Sequence, residues 1–466
     1  MKNSSDRSSA LLAGSLPRAV LLLAGPMFIS AVLQNAQSLI DLYWVGRLGP
    51  VAVAALALSG AVIMALFPVQ MGLATGTVAL VSRAYGAGDA RRASSIAAQS
   101  ISLGIGIGLL LGLACLPWLG TICTLLGAEP DVAAEAIRYL RPSLAGMSLG
   151  LVLFLANSAM QASGNTIVPM AAMLAANLLN LVLDPLFIFG WGPLPGFGVA
   201  GAAWATLLAQ AIAALGLILL MVSGRTHLHP ALPDFRPVWR DGLSLLRIGL
   251  PSMAQMSSRS IMGLVFFRVI ARFGTFVVAG YGIGMRWHMV LLMPCFVLAN
   301  AAATLVGQNL GAGQPQRARR AAWCSTGLVL AIVAASVGLL FAFTGKAVAL
   351  FDQTPEVVAI GSGFLRVVSP FYLLAGVSIV LDRALNGAGC TVSTMLFTIV
   401  TLWGLQVPLA FLFSGSLPQW EWTRLFSRWF DLPVQGVWWA MNTATALHVV
   451  MSVAWFSTGR WMHKRV

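Results

Sequence analysis

Two carboxylates, Asp41 and Asp184, stand inside apolar runs of this chain, and each has polar neighbours at helical spacing. Gln34, Ser38 and Asp41 follow i, i+4, i+7. Asn177, Asn180 and Asp184 follow i, i+3, i+7, so each trio shares one helix face. Pro185 follows Asp184 directly. A proline cannot donate to the residue four back, so the Leu181 carbonyl is freed and the helix can kink. Carboxylates, amide oxygens and a loose carbonyl make an oxygen-rich set suited to a proton or a small hard cation such as Na+. Ionisable groups are costly inside a membrane, which makes each a functional candidate by default. The plainer alternative is that these acids cap or pair structurally.

The second half of the chain offers a different set. Arg259, His288 and Asp382 lie in apolar segments, and Asp382 serves either as a second titrating group or as a partner for a nearby charge such as Arg383. A lone helix histidine is more often structural, but His288 could also titrate near neutral pH. Met256, Met285 and other methionines cluster here; flexible thioethers suit a cavity that repacks around varied ligands, and equally suit lipid-facing packing. No P-loop or dinucleotide fingerprint occurs, which argues against ATP drive. No persuasive nucleophile–base pair or metal-ligand cluster is present. An enzyme is therefore not expected, nor any cofactor beyond a coupling ion.

These groups must be carried by membrane helices. The chain is 58% hydrophobic and 9% charged, with mean hydropathy +0.86, where a soluble domain carries about a quarter charged residues. Its net charge of +14 comes from scattered Lys and Arg, not from a basic stripe with aromatic partners, so nucleic acid is not the expected partner. A bilayer crossing takes about 20 apolar residues, and twelve candidate helices follow. Arginines and lysines concentrate in alternate loops (Arg83, Arg91, Arg92; Arg225, Arg236, Arg240; Arg317, Arg319, Arg320) and near both ends. The positive-inside rule then puts both termini in the cytoplasm.

The chain also repeats itself. Residues 26–170 moved forward by 225 fall on 251–395 without a gap: Pro26 on Pro251, Gly49 on Gly274, and VSRAYGAGDARRA (81–93) on VGQNLGAGQPQRA (306–318). Duplicated hydrophobic chains form two halves around a central path, with binding sites between them. The fold expected is an all-α integral membrane protein, twelve transmembrane helices in two pseudo-symmetric six-helix bundles. A cytoplasmic tail (1–16) precedes a first lobe (17–222), a cytoplasmic linker (223–241) and a second lobe (242–466). An added outer segment at 417–433 shows one apolar helical face and reads as an interfacial helix. The acids are not duplicated: the offset puts Phe266 opposite Asp41, Leu409 opposite Asp184 and Asp382 opposite Asn157.

The segments NLVLDPLFIFGWGPLPGFGVAGAAWAT (180–206) and TLVGQNLGAGQPQRARRA (304–321) resemble the multidrug and toxic compound extrusion (MATE) transporters, and the acid–proline pair resembles their DinF-like branch. The resemblance spans about 17–460. It implies two six-helix lobes around a cavity that faces alternate sides, and antiport of amphipathic organic compounds, cationic or neutral, driven by H+ or Na+. It would place the cation site, including any Na+, on Asp41, Asn180, Asp184 and Thr206, with Asn157 a further member. The substrate cavity is expected to draw on Gln34, Ser38, Asn177, Met256, Arg259, Met285, His288 and Asp382. Membrane lipids are the other partners, a monomer suffices as the working unit, and the location implied is the bacterial inner membrane. The alternative is a flippase for lipid-linked saccharides from the wider superfamily.

Overall fold

The computed structural model describes residues 14–414 and 433–464. Twelve long helical rods account for nearly all of them. The first lobe contains α1 (Leu16–Val45), α2 (Pro50–Gly86), α3 (Ala90–Cys115), the bent pair α4 (Pro130–Ala145) and α5 (Met147–Ala162), α6 (Ile167–Phe189) and α7 (Val199–Val222). The second contains α8 (Trp239–Ala271), α9 (Thr275–Gly311), α10 (Pro315–Ala342), α11 (Pro355–Val368) running into α12 (Tyr372–Gly387), α13 (Thr391–Thr401) running through a π-turn into α14 (Val407–Phe413), and α15 (Pro433–Ser457). Nine helices among the described residues are long and apolar enough to cross a membrane, and α4–α5, bent by 52°, makes a tenth. The 33-residue α8 and 25-residue α15 are also long enough to span, which brings the count to twelve. A two-residue bridge, Gly190–Trp191 with Leu194–Pro195, folds the loop between α6 and α7. The amphipathic segment 417–433 lies almost wholly outside the described residues; within it, only Pro433 falls in a described helix.

The duplication is visible in the turns. Gly49 and Gly274 have φ of 111° and 97°, Gly88 and Gly313 80° and 69°, and Gly164 and Gly389 87° and 83°. Each pair is 225 residues apart and ends or starts equivalent helices. Only glycine takes such φ values without steric cost.

The lobes exchange their first helices. Val20 and Leu23 of α1 are buried in the second lobe's core beside Leu292 and Cys295. Their copies in α8, Leu245 and Ile248, are buried in the first lobe's core beside Ala79 and Ala156. The contact is tightest where glycines remove the side chain. Gly72 of α2 meets Gly249 of α8, Gly86 meets the Gln308 carbonyl, and Gly311 meets that of Arg83. Hydrogen bonds close the same face of the bundle, the one that carries both described chain ends. Arg83 Nη2 donates to the Ala388 carbonyl (3.2 Å), and Gln308, its copy, donates through Nε2 to that of Ala162 (2.8 Å). Lys464 Nζ adds a bond to the Gly389 carbonyl at 2.8 Å.

The segment between the lobes is docked. Its short 3-10 turn, Leu232–Phe235, lies along α3. Arg91 forks onto Asp234 at 2.8 and 2.9 Å, Gln99 Oε1 accepts from the Val238 amide at 2.7 Å, and Arg92 pairs with Asp241. The segment therefore moves with the first lobe rather than hanging free.

A side chain at Gly86 would collide with backbone, which cannot swing aside. Overpacking of this kind costs about 1–3 kcal/mol. Gly86→Val should therefore push the two lobes apart at this face. A spin-label distance between positions 225 and 316 should lengthen relative to the unmutated protein.

Candidate functional site

The first lobe gathers Asp41, Asn180, Asp184 and Thr206 from α1, α6 and α7. Asp184 and Asn180 are wholly buried, and Asp41 is 8% exposed. Asn180 Nδ2 donates to Asp184 Oδ1 at 2.9 Å and to Thr206 Oγ1 at 3.2 Å. The Asp41 carboxyl lies beside Asp184, Asn180 and Thr206. Helix geometry explains the set. Asn180 and Asp184 are one turn apart, so an amide and a carboxyl stack on the α6 face that packs against α1 and α7. Pro185 lies inside α6, which continues to Phe189.

The pocket is short of donors. Asp41 Oδ1, Asp184 Oδ2 and Asn180 Oδ1 are all buried without a hydrogen-bond partner. An unmet buried polar group costs about 1–3 kcal/mol, and more when charged. Two adjacent buried carboxyls repel when both are ionised. The arrangement is chemically suited to accept a proton or a small cation.

Between the lobes lies a cavity of about 180 Å³, and a second of about 190 Å³ runs toward the acidic pocket. Gln34, Phe154, Asn157 and Met173 line both. Thr206 lines the second while bonding Asn180, so it joins the cavity to the acids. Asn157 lies on this wall, its Oδ1 unpartnered, and makes no hydrogen bond to the acidic set. Gln34 faces the cavities, as its position on α1 implies, but Ser38 is exposed and lines neither. Gln37 takes its place, because i, i+3, i+7 tracks the α1 stripe here better than i, i+4, i+7. Asn177 is buried and donates to the Met173 carbonyl at 2.8 Å.

The remaining residues expected at the substrate cavity lie elsewhere. Met256 and Met285 line neither cavity, and Met285 packs on the second lobe's core. His288 stands edge-on to Tyr372, with ring centroids 5.0 Å apart, away from both cavities. Asp382 is buried in a network that sequence reasoning missed. Its Oδ2 pairs with His448 Nε2 at 2.8 Å and lies 3.7 Å from Arg259, while Oδ1 accepts from Ser452 Oγ at 2.8 Å. His448 Nδ1 reaches Thr401 Oγ1 at 3.0 Å. Asp382 thus takes its partners from α8 and α15 rather than from neighbouring Arg383. No repeat signal could have revealed His448, because the equivalent helix of the first lobe, α7, carries no histidine.

Twelve membrane-spanning rods in two exchanged lobes, with a buried acidic pocket opening on the cavity between them, have the architecture of a membrane transporter. The MatE family profile matches residues 26–186 and 251–412, and the chain belongs to that family of multidrug efflux transporters. It is 26% identical over 450 residues to the probable multidrug resistance protein NorM of Thermotoga maritima, covering 95% of this chain and 93% of that one. It is 29% identical to an FAD transporter of Shewanella oneidensis, covering 87% and 89%. A transporter of the MOP superfamily from Pyrococcus furiosus, described as having a binding pocket of reverse polarity, superposes with a TM-score of 0.84 at 26% identity over 98% of each chain. The flippase alternative gains no support from these relatives.

Removing His448 would leave the buried Asp382 carboxylate without its nearest donor, at a cost of about 1–3 kcal/mol. His448→Ala should lower the thermal unfolding midpoint of the detergent-purified protein, and His448→Ala combined with Asp382→Asn should recover part of the loss.

Proposed function

We propose that this chain exports amphipathic organic compounds by alternating access, and that cation uptake at Asp41 and Asp184 drives the cycle. The observation that carries this reading is the trio of buried oxygens without donors, linked to the cavity through Thr206. The proximity of the two carboxyls favours H+ as the coupling ion, since one added proton removes their repulsion. Na+ is the alternative, with the carboxylates, the Asn180 oxygen and the Thr206 hydroxyl as its oxygen shell.

Loading the pocket changes what α1 must satisfy. Asp41 lies near one end of α1, Pro26 interrupts its ladder, and its other half is seated in the second lobe's core. A shift at Asp41 is thus delivered to the contact that holds the lobes together, with Pro26 as the bend. The face with the glycine contacts is taken as cytoplasmic, because its loops carry Arg91, Arg92, Arg319 and Arg320. The closed contacts there make this the outward-facing state. Both halves of the path belong to one chain, so a monomer in the bacterial inner membrane is the working unit. The expectation of a cationic cargo meets cavity walls without a carboxylate, and neutral compounds fit them better.

The test is accumulation of norfloxacin, a fluorescent amphipathic quinolone, in everted membrane vesicles under an imposed proton gradient and then a sodium gradient. The gradient that supports accumulation identifies the ion. Asp184→Asn should cut it by about tenfold or more, as expected for loss of a coupling group worth over 1.4 kcal/mol. Undiminished transport by Asp184→Asn would remove the pocket from the cycle.

A further inference from the structure

The cavity between the lobes holds an arginine that is in no ion pair among the described residues. Arg383 of α12 lines it, and the hydrogen-bond contact its guanidinium makes is with the Met71 sulfur at 3.9 Å, a weak acceptor. No ion pair among the described residues reaches it. Its sequence neighbour Asp382 acts on it only from a distance, because successive helix residues diverge by about 100° and no ion pair joins the two. The Asp382 carboxylate is turned to His448, Ser452 and Arg259, and both its oxygens are taken. Asp41 and Asp184 line neither cavity. The second lobe therefore carries two arginines, Arg259 and Arg383, against one carboxylate here, and Arg383 is the one that faces the cavity.

A second donor stands beside it. Asn386 is one turn beyond Arg383 on α12 and also lines the cavity. Its Oδ1 accepts from Thr394 Oγ1 at 2.7 Å, which orients the amide so that Nδ2 is left without a protein partner among the described residues. Around these donors apolar side chains, Met27, Met71, Phe154 and Met173, share the wall with neutral polar ones such as Gln34, Asn157 and Asn300. A guanidinium fork matches a carboxylate in geometry, and in a confined low-dielectric space such a pair is worth far more than in water.

We propose that the cargo of this transporter is an amphipathic organic monoanion, its carboxylate held by Arg383 and Asn386 and its apolar body lying against the methionines and Phe154. This names the substrate class for the exporter reading above and rests on that reading. One unit of unpaired positive charge selects a carboxylate over a dianion. It also disfavours organic cations, which would meet Arg383 with no acid in the wall to offset it. Export of a monoanion against uptake of a cation at Asp41 and Asp184 keeps the two charges in separate sites, one in each lobe.

A matched series isolates the head-group charge: tritiated 1-naphthaleneacetate, with 1-naphthaleneacetamide and 1-naphthylmethylamine as competitors, binding to the purified protein in detergent. The acetate should bind about tenfold or more tightly than the amide, and the amine should compete least. Arg383→Gln should bring the acetate-to-amide ratio close to one, while Arg383→Lys keeps most of the preference; size-exclusion profiles verify that each variant is folded. Competition by the amine equal to or better than the acetate, a preference untouched by Arg383→Gln, or no displaceable acetate binding would each overturn the proposal. Gradient-driven accumulation of the acetate in proteoliposomes is read separately. Selective binding without accumulation would sink the exporter reading and leave the charge selectivity standing.

Discussion

Everything in this molecule depends on how closely backbones from the two lobes approach each other. Within a bilayer, hydrophobic burial gives helices little reason to associate, so packing and hydrogen bonds must do it. Here Gly72 against Gly249, Gly86 against Gln308 and Gly311 against Arg83 bring main chain to main chain. That proximity puts carbonyls of one lobe within reach of donors on the other, as in the bonds from Arg83 and Gln308. The contact is strong because it fits and local because glycine supplies it, so the lobes can be joined at one face and parted by the cavity elsewhere.

The duplication built two lobes of one shape, and their chemistry has since diverged. The first lobe keeps two acids with unmet oxygens, joined to the cavity by Thr206. The second keeps a basic excess, with one carboxylate locked in its own network and Arg383 facing the cavity. An acidic pocket and a basic cavity residue are thus held in opposite lobes. α1 belongs to both lobes, since it carries Asp41 at one end and fills the second lobe's core with the other.

The sequence made much of this legible, and the omissions have physical reasons. Hydropathy, charge asymmetry and the offset of 225 gave twelve rods and their pairing, because bilayer thickness and positive-φ glycines leave local marks. The grouping of Asp41 with Asn180, Asp184 and Thr206 came from same-face spacing plus family resemblance. Ser38 was a misreading of one residue in helical phase, corrected by Gln37. Asp382 was weighed against Arg383 because the two are adjacent, yet adjacency on a helix means divergence; that signal was present and unused. His448 lies 66 residues from Asp382, and only tertiary packing joins them. In the two repeated GAG runs, Gly88 and Gly313 form the turns, whereas Gly86 and Gly311 make room for the opposite lobe, a role set by a partner no local pattern reveals.

The exchange of first helices bears on how such a chain could arise. A six-helix unit that contributes Val20 and Leu23 to a neighbour leaves a matching slot in its own core, which only a second copy can fill. A half-length ancestor built this way would complete its cores by exchanging first helices in a reciprocal dimer. Fusion of two copies would make that partnership permanent. It would also free each half to mutate alone, which a symmetric dimer forbids, and so allow an acidic pocket to persist on one side while a basic one developed on the other.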